Sequence, residues 1–235
     1  MLVSFQNGIR TDARKARAGL GPWIMRGARR HILAVRPATS VSALLLVEGD
    51  SDAGAVRALA DRIGCDLEAL HIHVTPAHGV TNFPRLLAEF LRTNPGAKIF
   101  GMYDVADEHH VRRALDHVSV PIPADDSLES LGFFACVADL EDELIRALGT
   151  EVVEHVLEAQ GELRSFRRFQ AMPQHRAEPV HHQLRRFLGT RATRKVRSAR
   201  YLVEALDLAR MPRPLAELAA KCLRLGASRT GHDTM

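Results

Sequence analysis

The chain has 235 residues, 46% hydrophobic and 26% charged, with a formal net charge of +4. That length supports a buried core, no run approaches the roughly 20 apolar residues of a membrane-spanning helix, and the glycine-broken basic start lacks the apolar stretch of a secretory signal. Cys65, Cys136 and Cys222 are scattered, form no CxxC pair and suit a reduced interior, so the expectation is a cytoplasmic protein with no membrane attachment.

The small net charge conceals a segregation. Residues 1–40 hold 8 Lys and Arg against 1 acid, residues 41–160 hold 8 against 21, and residues 161–200 hold 11 against 2. An acidic module between basic ones fits a cation-loaded site beside a surface for a polyanion, nucleic acid above all. Three segments are expected: a poorly ordered basic stretch over 1–40, an α/β domain over 41–150 and a helical basic extension over 151–235.

In chain order, LLLVEG ending at Gly49 reads as a buried strand, and apolar residues at helical spacing follow from Ser51 to Ile63. LHIHVT (70–75) alternates and is β-branched, a second strand. A helix from Phe83 to Leu91 stops before Asn94-Pro95-Gly96. KIFGMYD (98–104) is a third strand, followed by a helix from Glu108 to His117. GFFACV (132–137) is a fourth, followed by a helix over Leu140–Leu148. Strand–helix alternation with short links implies a parallel sheet of about four strands covered on both faces, and ligands of such sheets gather at the carboxyl ends of the strands. After residue 150 five helical segments and no strand are expected. No GxxxxGK[ST] phosphate loop is present.

Acids collect at those strand ends: Glu48, Asp50 and Asp52 after the first strand, Asp104 and Asp107 after the third, and Asp139, Glu141, Asp142 and Glu143 after the fourth. Close carboxylates raise one another's pKa unless a cation compensates. Helix capping explains one acid per helix, not three sets. A hard divalent ion held by few carboxylates plus water and substrate phosphates explains the pattern better. The 12 histidines have no thiolate partners at zinc-finger spacing.

The stretch LLLVEGDSDAGAV (44–56) resembles the first motif of TOPRIM domains, a strand ending in Glu-Gly-x-Ser-Asp, and YDVAD (103–107) sits where that family carries Asp-x-Asp. LEDEL (140–144) and RATRKVRSARYLVEAL (191–206) are similar to the Leu-Glu-x-x-Leu segment and the late lysine of the OLD (overcoming lysogenization defect) nucleases. The resemblance implies a TOPRIM-like, Rossmannoid sheet and a Mg²⁺- or Mn²⁺-dependent endonuclease that hydrolyses DNA with two ions. Glu48, Asp104 and Lys195 would be catalytic, and Glu48, Asp52, Asp104, Asp107 and Glu141 metal ligands. Two departures stand out. The second Asp of Asp-x-Asp falls on Ala106, leaving Asp107 or Glu108 to replace it, and the ATPase domain usual in OLD proteins is absent. A separate ATPase chain and a second copy of this chain are the protein partners considered. RNA processing and a decayed nucleic-acid-binding module are the alternative readings.

Arg167, Arg168, Arg185, Arg186, Arg194, Lys195 and Arg197 are expected to contact the nucleic-acid backbone. Phe166, Phe169 and Phe187 recur among them at helical spacing and are read as facing the core. No base-reading motif is visible, so little sequence preference is expected.

Overall fold

The computed structural model describes residues 41–123 and 127–230, with side chains to residue 227. The basic segment 1–40 lies outside the described residues. Strands β1 (Ala43–Val47), β2 (Ile72–Pro76), β3 (Lys98–Asp104) and β4 (Phe133–Cys136) form one sheet in the order β2-β1-β3-β4. Every pairing is parallel, so each connection must cross over, and helices make the crossings. These are α1 (Asp50–Arg62), α2 (Phe83–Thr93), α3 (Glu108–His117) and the single turn α4 (Leu128–Leu131).

All five residues of β1 are buried, because both faces of the sheet are covered. Leu44, Leu46, Tyr103 and Phe133 point to the side of α2 and α3, packing with Phe83, Leu87, Val111 and Leu115. Leu45, Val47, Phe100, Met102 and Phe134 point to the other side, against α1 and the helices that follow the sheet. At the centre, Gly101 of β3 lies so close to β1 that a β-carbon there would come within 2.1 Å of the Leu46 carbonyl oxygen. A side chain is excluded at that point.

The helices beyond β4 are α5 (Leu140–Leu148), α6 (Thr150–Ala159), α7 (Leu163–Gln170), α8 (Val180–Gly189), α9 (Ala192–Ala205) and α10 (Arg213–Thr230). Leu157, Phe166, Leu184, Leu188, Leu202, Val203 and Leu218 from these helices join Leu45, Phe100 and Leu144 in one apolar core. Phe166, Phe169 and Phe187 are buried as expected, with ring centroids 5.2 and 5.6 Å apart. Helix α9 packs along α1, and the Arg62 guanidinium at the end of α1 donates to the Val203 and Leu206 carbonyls, each at 2.7 Å. Those carbonyls lie at a helix end, where the last four have no partner within the helix. The contact also brings Lys195 of α9 beside the acidic end of the sheet.

Candidate metal centre

Strand β1 stops at Val47, whose carbonyl accepts the Ala77 N–H at 2.9 Å, and the Glu48 carbonyl accepts the Gly79 N–H at 3.1 Å. The backbone under Glu48 is therefore held by the loop after β2. The Gly49 N–H donates to the Asp52 carboxylate at 2.9 Å, closing the entry into α1. Asp104 is the last residue of β3, and a single 3₁₀ turn, Val105–Asp107, follows it. Residues three apart eclipse one another in a 3₁₀ turn. Asp104 and Asp107 thus share a side, whereas an extended strand would have paired 104 with 106. The turn explains how the chain tolerates alanine at position 106.

Glu48, Asp104 and Asp107 each present one carboxylate oxygen, all three lying within 4.8 Å of one another, and each residue is half-buried. Glu108, the other candidate for the missing acid, is diverted to Arg112, with Nη2 2.7 Å and Nε 2.8 Å from its Oε1.

The cluster is electrostatically uncomfortable without a cation. Burial, then repulsion from Glu48, Asp52 and Asp139, pushes the Asp104 carboxyl up to about 8. Burial, then Asp107 and Asp52, raises Glu48. Asp52 is raised by burial, with Lys195 pulling the other way. Burial pushes Glu141 up to about 7 although Lys195 opposes it. For Lys195 itself, burial favours the neutral amine, but Glu141 and Asp52 outweigh that and hold the ammonium above its ordinary range.

Glu141 lies in the first turn of α5, 3% exposed at the side chain, with Oε2 3.4 Å from the Lys195 ammonium. Its Oε1 is buried with no hydrogen-bond partner among the described residues. The neighbouring acids are all engaged. Asp139 accepts the Asp142 N–H at 2.7 Å and the Arg185 Nε–H at 2.8 Å. Asp142 lies 2.6 Å from His181 Nε2 and accepts Arg146 Nε–H at 2.9 Å. Glu143 accepts the Val137 N–H at 2.9 Å and lies 2.6 Å from Arg146 Nη2. Among these four acids, Glu141 alone has a buried carboxylate oxygen with no hydrogen-bond partner among the described residues.

Of the residues expected to hold metal, Glu48, Asp104 and Asp107 come together in one cluster. Asp52 and Glu141 lie around Lys195, which interacts with both. Sequence reasoning collected Asp139 but assigned it no role, although its negative charge acts on Glu48, Asp52, Asp104 and Glu141 alike.

The expected nucleic-acid cations divide sharply. Arg194 is buried, with Nη2 3.0 Å from Glu162 and its guanidinium 4.0 Å from the Phe187 ring centroid, and it also bonds to Thr190. It holds α7, α8 and α9 together instead of facing solvent. That corrects the expectation of a phosphate contact. Arg167 pairs with Glu154 at 2.5 Å, Arg185 with Asp139 at 2.8 Å, Arg186 with Glu178 at 2.8 Å and Arg197 with Glu162 at 2.8 Å. Arg168 is exposed and makes a 3.5 Å contact to the Ser165 hydroxyl.

Residues 41–104 match the family model described as "Overcoming lysogenization defect protein-like, TOPRIM domain". No curated protein matches the sequence. Among solved structures, the chain is similar to the C-terminal region of the Xanthomonas campestris pv. campestris OLD protein, at 19% identity and a TM-score of 0.57, covering 81% of this chain and 98% of that one. It is also similar to the C-terminal region of the Burkholderia pseudomallei OLD protein, at 20% identity and a TM-score of 0.56, covering 78% of this chain and 98% of that one. At such identities these likenesses establish the fold. Residues 41–104 thus match the OLD-like TOPRIM domain model within a fold like that of OLD C-terminal regions, and together with the acidic cluster of Glu48, Asp104 and Asp107 this suggests a metal-binding module of nuclease type.

Proposed function

We propose that the protein is a Mg²⁺- or Mn²⁺-dependent endonuclease that hydrolyses DNA phosphodiester bonds. The observation that carries this reading is the convergence of Glu48, Asp104 and Asp107 within 4.8 Å at the carboxyl edge of a parallel sheet. The donor set fits a hard divalent cation, because every candidate ligand atom is a carboxylate oxygen. The unpartnered Glu141 Oε1 and the raised Asp104 and Glu141 carboxyls fit it as well, since a cation would remove the repulsion that burial intensifies.

Glu48, Asp104 and Asp107 would hold one cation, and Asp52 with Glu141 a second. When bound, such a pair offers charge stabilisation to the attacking and leaving oxygens of an in-line displacement. Glu48, on a backbone pinned by Gly79, is placed to accept the proton of the attacking water. Lys195 keeps its charge at neutral pH and offers the ammonium to the scissile phosphate, where electrostatic stabilisation is a large catalytic contribution. Arg168 and neighbouring exposed cations of α7 and α8 would meet the flanking phosphates. Any ATP-driven step is assigned to an ATPase outside this sequence, which holds no GxxxxGK[ST] loop.

The test is plasmid nicking by purified protein with Mg²⁺ or Mn²⁺, with structured RNA as a second substrate. Glu48→Gln keeps the size and the turn, and is expected to lower nicking at least ~10²-fold, the lower end for a positioned acid–base group. Equal nicking by wild type and Glu48→Gln would remove the acid cluster from the chemistry, and cleavage of RNA alone would move the substrate class.

A further inference from the structure

Glu141 owes its position to the first turn of α5, and that turn is gripped from outside by α8. Asp139 caps α5 through one carboxylate oxygen, which accepts the Asp142 N–H at 2.7 Å. Its other oxygen accepts the Arg185 Nε–H at 2.8 Å. One helical turn earlier on α8, His181 Nε2 lies 2.6 Å from Oδ1 of Asp142. Residues four apart lie on one face of a helix, so α8 presents both groups together. They engage the acids on either side of Glu141.

We propose that Arg185 is a positioning residue for Glu141, not a nucleic-acid contact, and that His181 assists it. This rests on the nuclease reading only for what Glu141 does, not for the clamp itself. The physical case is that Asp139 is a half-buried carboxylate within electrostatic reach of Asp52, Asp104 and Glu141, which repel it. Left alone, its charge would turn toward water and release the α5 cap. The Arg185 guanidinium supplies the opposite charge, so both oxygens of Asp139 stay engaged and the first turn of α5 stays closed. Residues that orient a ligand from outside a metal site commonly control metal affinity, by 10–100-fold when removed.

The experiment compares wild type with Arg185→Met and Arg185→Lys in the full chain. Amide hydrogen exchange needs no activity and no metal. The clamp predicts that Arg185→Met speeds exchange across the first turn of α5, residues 140–143, about tenfold or more, leaves β1 and β3 unchanged, and that Arg185→Lys restores part of the protection. Unchanged exchange in α5 would overturn the proposal whether or not the protein nicks DNA. Where wild type nicks, the Mn²⁺ concentration giving half-maximal rate should rise about tenfold in Arg185→Met, with the DNA KM and its salt dependence unchanged. The opposite split, an altered DNA KM and salt slope at an unaltered Mn²⁺ requirement, would return Arg185 to the phosphate-binding surface and also overturn the proposal. A wild type that neither nicks nor binds Mn²⁺ would defeat the nuclease reading, while the exchange result still decides the clamp.

Discussion

The acid cluster predicts an unusual pH dependence in metal-free protein, and Asp104 is the residue to probe. In the folded state its carboxyl titrates at about 8 against an ordinary 3.8, because burial and then Glu48, Asp52 and Asp139 oppose its charge. Between those values the native state keeps a proton that the unfolded chain releases, so stability falls as pH rises. At 1.36 kcal/mol per pH unit the full displacement corresponds to a ceiling of about 6 kcal/mol. Glu48 competes for the same proton and water reaches the half-buried cluster, so about half, roughly 3 kcal/mol, is the working figure. Asp104→Asn removes the titration at nearly constant volume. In EDTA at pH 8 the variant should melt about 6–12 °C above wild type, at roughly 2–4 °C per kcal/mol for a chain this size. At pH 4 the difference should vanish, and millimolar Mn²⁺ at pH 8 should stabilise wild type more than the variant. Thermal melts across this pH range decide it. A metal-free wild type whose melting temperature runs parallel to that of Asp104→Asn from pH 4 to 8 would show that the carboxylates are not close.

Gly101→Ala puts a methyl group against the Leu46 carbonyl, 2.1 Å away, so β1 and β3 must separate; a loss of about 3 kcal/mol or more, or no soluble protein, is expected in urea unfolding. Arg194→Met removes the buried one of Glu162's two arginine partners, with Arg197 remaining at 2.8 Å, and should cost about 2 kcal/mol, while DNA affinity per folded molecule, measured at low temperature, stays the same. Charge reversal at Arg168 should lower the slope of log K against log salt by about 0.9, read from DNA titrations at several salt concentrations, whereas an unchanged slope would place the binding surface elsewhere.

Much of the architecture was legible in the sequence because the parallel sheet imposes a pattern that local chemistry reveals. Four apolar runs separated by helical periods can satisfy their backbone and bury both faces only as a parallel sheet covered by helices, and that sheet is present in the order β2-β1-β3-β4. Glu48 and Asp104 were equally legible, since an acid directly after a buried strand has to emerge at the sheet's carboxyl edge. Asp107 was legible as one of two replacements for the acid missing at Ala106, but the choice between Asp107 and Glu108 was not; the 3₁₀ turn after β3 makes it by bringing Asp107 back beside Asp104, while Glu108 pairs with Arg112. Charge was the least transferable signal. The basic block 161–200 read as a surface for a polyanion, yet Arg185, Lys195, Arg194 and Arg197 turn inward or across to Asp139, Glu141 and Glu162. Hydrophobic periodicity is a property of neighbouring residues and survives in the linear chain. Pairing between charges dozens of residues apart depends on how α8 and α9 pack against α5 and α1, and that was settled by the shared core, not by any local pattern.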